Sequence, residues 1–285
     1  MPRKKLKYFI FRYVLGLLPY SMFINFMRML NAFRFGKQFY WLSESSFFSR
    51  INELKLIELQ DEAVLLADKS KMRVRLLESH GLSSFVPLIG VFNEIKDLIA
   101  GQLKFPCVIK MNRGSGMNLV VHSREMLISK KTIDTLRFWI SVDPYYYTRE
   151  RHYSQMNPCF LVEEYLGTDV HDYKVFCFNG KPKFIQVDID RFNGHKRVFY
   201  DLDWNIMDLG MLYPNPITEI SAPVVLSQMI ETATTIAKSF EFIRVDFYAQ
   251  NDKLIIGECT FFPEGGMGLF DDMFQDERIG SMFKD

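Results

Sequence analysis

The stretch "RVDFYAQNDKLIIGECTFFPEGGMG", residues Arg244 to Gly268, reads as two apolar strands joined by a tight turn at "QND". Each strand carries one carboxylate, Asp246 and Glu258, at a place where a packed sheet favours Val or Leu. A tight turn brings both acids onto one face. Two like charges so close together are costly away from water unless a cation lies between them. Mg²⁺ suits such a pair, because it takes oxygen ligands, keeps several waters and bridges carboxylates to phosphates. The five histidines are too few and too scattered to suggest zinc.

Three further stretches, read outward from this hairpin, place charge on predicted strands. In "HDYKVFCFNGKPKFIQVDIDR" (171–191), with "NGKP" as the turn, Lys174 and Arg191 lie on the two arms, beside Asp172 and Asp190. Cations so placed converge on one anion or pair across the strands. In "CFLVEEYLGTD" (159–169) a strand stops on Glu163 and Glu164, and neighbours on a strand face opposite sides, so only one acid looks into a given cleft. The backbone at that strand end suits a purine ring and Asp169 the ribose hydroxyls; an ordinary edge strand ending in a polar turn reads the same way. In "VIKMNRGSGMN" (108–118) Lys110 precedes Gly114, Ser115 and Gly116. Glycines expose N–H groups and the ammonium neutralises charge, which suits phosphate; the GKS/T ending of a Walker loop is missing, and a solvated edge lysine is the plain alternative.

The rest of the chain bounds these readings. Its 285 residues, 48% of them hydrophobic, suffice for real cores, and 35 basic against 34 acidic residues exclude a general nucleic-acid binder. Four cysteines sit inside apolar runs without CxxC spacing and read as reduced core residues in a cytoplasmic protein. Helical periodicity runs over 51–80 with Gly81 as a stop, over 124–156, and over 223–240. Helices interleaved with antiparallel hairpins predict an α+β fold, not a doubly wound parallel sheet. Residues 1–40 are basic and aromatic, broken by Arg12, Pro19 and Arg28, with apolar runs too short for a spanning helix. They read as a helix pair lying on the inner face of a membrane, or as a hairpin packed on the domain or on a partner protein.

In order, these features are a lysine in a strand, a Gly-rich loop, a strand ending in Glu, a cationic hairpin, and an Asp and Glu on a final hairpin. The sequence resembles the ATP-grasp ligases, and within them the TupA-like ATP-grasp proteins of bacterial surface polysaccharide synthesis, through "DKSKMR", "PCVIKMNRGSG", "FLVEEYLG", "DYKVFCFNGKPKFI", "RVDFY" and "GECTFFPEGG". The resemblance implies two α+β lobes gripping ATP, with segments at 1–50, 51–104, 105–165 and 166–285. It implies that Lys69 and Lys110 hold the nucleotide phosphates under a loop at Gly114, Ser115 and Gly116. Glu163, Glu164 and Tyr165 would read adenine, and Asp169 or Asp172 the ribose. Lys174 and Arg191 would lie near the transferred phosphate, Arg244 at the tetrahedral intermediate, and Asp246 and Glu258 would hold one or two Mg²⁺ ions. Where many relatives read Glu-x-Asn at the second acid, this chain has Thr260 in the Asn position, and the resemblance implies that its hydroxyl joins the metal ligands. The implied reaction joins a small amine or amino acid to a uronic-acid carboxylate of a glycan or its lipid-linked precursor, with an inactive nucleotide-binding scaffold or a ligase for a peptide or other small carboxylate as the alternatives.

Overall fold

The structure is a computed structural model, and it describes residues 2–57, 59–168, 170–189, 194–215 and 220–284. The chain divides into two compact units, the first made of Met1–Leu18 and Leu59–Thr168, the second of Pro19–Glu58 and Asp169–Asp285.

The first unit is built on a four-stranded antiparallel sheet of β1 (Leu88–Phe92), β2 (Cys107–Met111), β3 (Asn118–Val121) and β4 (Phe160–Glu164), in the order β1-β4-β2-β3. Alternation decides which side is core. Cys107, Ile109 and Met111 of β2 and Phe160 and Val162 of β4 turn inward onto Leu127, Leu136 and Trp139 of the helices Arg124–Ile128 and Lys130–Ser141. Lys110, Leu161 and Glu163 therefore share the opposite face. Ser123 and Ser129 cap the two helices by accepting from the N–H groups of Met126 and Thr132. Helix Pro2–Tyr13 joins this unit through Tyr8 and Phe11 against Tyr147.

The second unit holds a five-stranded antiparallel sheet of β5 (Asp172–Phe178), β6 (Lys181–Ile189), β7 (Lys196–Tyr200), β8 (Phe242–Gln250) and β9 (Lys253–Thr260), in the order β7-β6-β5-β8-β9. Central β5 is buried along its whole length. Helix Leu226–Ala237 packs on β5, β6 and β8, and Phe47 of helix Phe47–Leu56 meets Phe176, Phe178 and Phe242. Helix Tyr20–Phe35 is fastened here by its buried Arg28, which donates to the Gly268 carbonyl at 2.6 Å and to the Tyr40 carbonyl at 3.3 Å.

Several sequence expectations need correction. The periodicity over 51–80 resolves into three helices, Phe47–Leu56, Asp61–Ala67 and Met72–His80, the last stopping at Gly81 in the left-handed region. The run 124–156 contains four, the final two of only four residues each (Tyr145–Thr148, His152–Gln155), because Pro144 and the left-handed Arg149 interrupt it. The helix read over 223–240 is Leu226–Ala237.

The terminal hairpin turns on two residues, Asn251 and Asp252, both with positive φ (51° and 57°), and closes on the pair Gln250 and Lys253. Continued without interruption, that register would set Asp246 opposite Gly257 and turn Glu258 to the other face. A bulge at Gly257 supplies one extra residue, so that Phe247 faces Ile256 while Asp246 faces Glu258. The two acids share a face because of the bulge as much as the turn.

Candidate functional site

In the first unit, local hydrogen bonds set the two lysines. Asp68 accepts from the Ser70 N–H at 2.9 Å and from the Asn112 amide at 3.1 Å, and the Lys69 N–H donates to the Asn112 carbonyl at 3.1 Å. This places the Lys69 ammonium 3.2 Å from the Gly114 carbonyl, at the edge of the Gly-rich loop. Buried Arg113 anchors the base of that loop through the carbonyls of Tyr153, Met156 and Val142 at 3.0 to 3.2 Å. Gly114 has φ of 81° and Gly116 of 70°, and a Cβ on Gly114 would come within 2.9 Å of the Pro144 ring, so the loop needs glycine there. Ser115, between them, is exposed.

Of the two acids ending β4, Glu163 is buried and Glu164 exposed. The Glu163 carboxylate receives the Lys110 ammonium at 2.6 Å and the guanidinium of Arg73. Arg73 escaped the sequence reading, because it lies on helix Met72–His80, 90 residues before the acid it clamps. Tyr165 meets the edge of His122.

In the second unit, the polar groups line one face of the sheet in register. Glu258 of β9 stands opposite Asp246 of β8, Asp246 opposite Lys174 of β5, and Lys174 opposite Gln186 of β6; in the next rows Thr260 faces Arg244, and Asp172 faces Asp188, which faces Arg197 of β7. Arg244 clasps Asp246 with two bonds of 2.6 and 2.7 Å, donates to the Thr260 hydroxyl at 3.2 Å and lies 3.8 Å from Glu258. Lys174 donates to Asp172 at 2.5 Å and Asp246 at 2.9 Å, with Asp188 at 3.8 Å. Arg197 bridges Asp188 at 2.8 Å and Glu264 at 3.0 Å. Asp188, Gln186, Arg197 and Glu264 were not picked out from sequence, though the two-residue spacing of Gln186 and Asp188 matches that of Asp172 and Lys174 across the hairpin. Asp169 and Arg191, expected at the ribose and the transferred phosphate, lie outside the described residues.

Burial and charged partners oppose one another at Lys174, Arg244, Asp188 and Asp246. Burial pushes the Lys174 ammonium down, and Asp172 and Asp246 outweigh it, so its pKa is raised. The Arg244 guanidinium is likewise held charged by Asp246 against burial. Asp188 is driven well below the usual carboxylate range, since Arg197, His195 and Lys174 overcome the burial that would raise it. Asp246 is pushed up by burial, against the pull of Arg244 and Lys174. The side-chain oxygen of fully buried Gln186 has no donor among the described residues, a deficit of about 1–3 kcal/mol that a donor on a bound molecule would relieve.

The donor set fits Mg²⁺ in kind. Among the described residues the network sets five carboxylates (Asp172, Asp188, Asp246, Glu258, Glu264) against three permanent cations (Lys174, Arg197, Arg244), leaving a formal excess that a divalent ion would balance. No cluster of three or more His, Cys, Asp or Glu side chains among the described residues forms a ready metal site, so Asp246 and Glu258 need phosphate and water oxygens to complete a shell. Both oxygens of Asp246 are engaged by cations, Oδ2 by Lys174 and Arg244 and Oδ1 by Arg244 alone, so a metal would meet the remaining lone pair of Oδ1 or displace a cation from Oδ2. In the PEGG loop the N–H groups of Gly265 and Met267 bond to the Phe262 and Glu264 carbonyls, and Lys55 and Asn52 hold the Gly265 and Gly266 carbonyls.

This order of lysines, Gly-rich loop, buried acid and charged antiparallel sheet has a counterpart among known families: the family model for TupA-like ATPgrasp proteins matches residues 49–284. The chain belongs to the TupA-like ATPgrasp family. This TupA-like protein matches no curated protein. Among solved structures it is similar to an L-amino acid ligase from Bacillus licheniformis, at 13% identity and a TM-score of 0.49, over 77% of this chain and 48% of that one. It is also similar to the D-alanine–D-alanine ligases of Bacillus anthracis (16% identity, TM-score 0.45, 77% of this chain and 64% of that one) and Helicobacter pylori (16%, 0.48, 85% and 67%). The TupA-like chain thus spans about half to two thirds of the length of these three chains.

Proposed function

We propose that this protein is an ATP-dependent carboxylate–amine ligase, joining an amino acid or similar amine to a uronic-acid carboxylate of a bacterial surface polysaccharide or its lipid-linked precursor. The observation that carries the reaction class is the charged face of the second sheet, where Lys174, Arg244, Asp246 and Glu258 stand in register. The glycan substrate rests on the family resemblance.

In the reaction, a donor carboxylate oxygen attacks the γ-phosphorus of ATP, the bond from that phosphorus to the bridging oxygen breaks, and ADP leaves. The amine nitrogen then attacks the acyl carbon; the carbon–oxygen bond to phosphate breaks, inorganic phosphate departs and the nitrogen gives up a proton. Lys69, Lys110 and the N–H groups at Gly114–Gly116 neutralise and orient the phosphates. Mg²⁺ held by Asp246 and Glu258, with the Thr260 hydroxyl beside them, would withdraw charge from the phosphate oxygens. Lys174 exchanges Asp246 for the transferred phosphoryl group, Arg191 supports the same oxygens, and Arg244 faces the charge that develops on the attacked carbon.

A scaffold that binds nucleotide without turnover is the second reading, favoured by the three bonds that Arg244 and Lys174 already make to Asp246. An ADP-release screen of uronic acids crossed with amino acids separates the two. Release with at least one pair, reduced at least ~100-fold by Glu258→Gln, is the expected result. Tight Mg·ATP binding with no ADP from any pair defeats the ligase reading in favour of the scaffold.

A further inference from the structure

The chain's net charge conceals a sharp asymmetry. Residues 1–43 contain eight of the 35 basic residues and none of the 34 acidic ones, so residues 44–285 carry 27 basic against 34 acidic residues. The two helices in this acid-free segment also turn apolar side chains outward. On helix Pro2–Tyr13, Leu6, Phe9, Ile10 and Tyr13 recur at helical spacing and all are exposed, Phe9 at 55%. Their stripe runs between Lys5 and Arg12 on one flank and Arg3 and Lys7 on the other, all four exposed, while Phe11 and Tyr8 on the far side face the first unit. On helix Tyr20–Phe35, Met22, Phe26, Met29, Leu30 and Phe33 form a second stripe, with Phe33 exposed at 90%, while Phe23, Ile24, Arg28 and Ala32 are buried.

Scattered exposed apolar residues are ordinary; nine on two continuous stripes are not. No helix among the described residues is long and apolar enough to cross a membrane. We infer that the stripe on helix Pro2–Tyr13 docks the first unit on an anionic lipid surface and that the stripe on helix Tyr20–Phe35 does so for the second in its own right, with Phe, Leu, Ile and Met side chains entering the interface and the flanking Lys and Arg meeting negatively charged headgroups. Charge selects this occupant. An acid-free segment repels basic partners and offers a protein nothing to pair with its own cations, whereas a layer of anionic headgroups complements cation and apolar stripe together. Arg28 and Lys37 are the exceptions that sharpen the point: both are used internally, on the Gly268 carbonyl and on Asp271, and neither borders a stripe as a free charge.

This inference stands apart from the ligase reading, since vesicle binding and ADP release are measured separately and either can fail alone. The test is co-sedimentation of the full chain with phosphatidylcholine vesicles, with and without about 30% phosphatidylglycerol. At low salt the protein is expected to partition at least ~10-fold more strongly onto the anionic vesicles, and to lose most of that preference at about 0.5 M NaCl. Phe9→Glu with Ile10→Glu, and separately Met29→Glu with Phe33→Glu, should each lower partitioning at least ~5-fold. These positions are exposed, so the thermal midpoint should hold. Absence of binding to anionic vesicles overturns the inference, as does wild-type binding by both double variants. A concentration-dependent dimer in solution, abolished by Met29→Glu with Phe33→Glu, overturns it in favour of a second copy of the chain.

Discussion

At the scale of single residues, the charged face of the second sheet is a set of mutual debts. Removing the Asp246 carboxylate as Asp246→Ala leaves Arg244 buried without its main anion and takes from Lys174 one of its two close carboxylates, and unfolding in urea should show a loss of about 3–5 kcal/mol. Glu258, whose side chain is 35% exposed and 3.8 Å from Arg244, should cost under about 1 kcal/mol as Glu258→Gln while abolishing ADP release. Equal destabilisation by both changes would refute the distinction between a structural and a purely ligating acid. Asp276 gives a pH test. Burial raises its pKa to about 6, even with N–H and Tyr40 hydroxyl donors on its carboxylate. The unfolded chain releases this proton near pH 4 and the folded one near 6, so stability falls as pH rises across that window and stays reduced above it. Asp276→Asn should therefore gain on wild type progressively between about pH 4 and 6, reaching at most about 3 kcal/mol at neutral pH, as thermal midpoints across that range would show.

At the scale of elements, the bulge that absorbs Gly257 decides whether Asp246 and Glu258 cooperate. A Cβ on Gly257 would lie 3.1 Å from both the Asp246 carbonyl and the Tyr248 ring, and the close backbone approach fits a bulge. Deleting Gly257 would remove the bulge and keep Glu258 opposite Asp246, whereas inserting an alanine between Ile256 and Gly257 exceeds what a one-residue bulge absorbs, turns Glu258 away from Asp246 and exposes or buries the wrong residue at every later position of β9. The expected result of the insertion is loss of ADP release with a thermal midpoint lowered by about 10 °C or more, whereas Asp252→Gly, placing glycine at a positive φ in the turn, should raise stability by about 0.5–1 kcal/mol. The hairpin itself was legible, because alternation and an Asn-Asp turn are local signals. The bulge was not: a glycine within a strand announces a defect without saying which way the register shifts. Nor did sequence reveal that helical periodicity over 51–80 breaks into three helices, for the periodicity fixes a face and leaves the breaks to packing. Lys110 and Glu163 were legible as charges on strands and Lys69 only through the family resemblance; the Arg73 clamp on Glu163 was not legible, since it depends on which helix the fold brings to that sheet face.

At the scale of the whole molecule, the division into two units separates the proposed nucleotide lysines, in the first, from the proposed metal acids, in the second. A ligand that binds only the folded protein stabilises it by an amount set by its concentration over its Kd, about 2.7 kcal/mol at a hundredfold excess. For a protein of this length that is a rise of roughly 5–10 °C in thermal midpoint. If both clusters serve one reaction, substitutions in each should remove different parts of that rise. Lys110→Ala should abolish the shift given by ATP whether or not Mg²⁺ is present, because it removes a phosphate contact from the first unit. Glu258→Gln should leave the shift by ATP alone intact and remove only the increment added by Mg²⁺. Differential scanning fluorimetry on the two variants, with ATP, Mg·ATP and EDTA controls, distinguishes these outcomes. A full Mg²⁺ increment retained by Glu258→Gln would show that the metal is held elsewhere, and would take with it the role assigned to the shared face of β8 and β9.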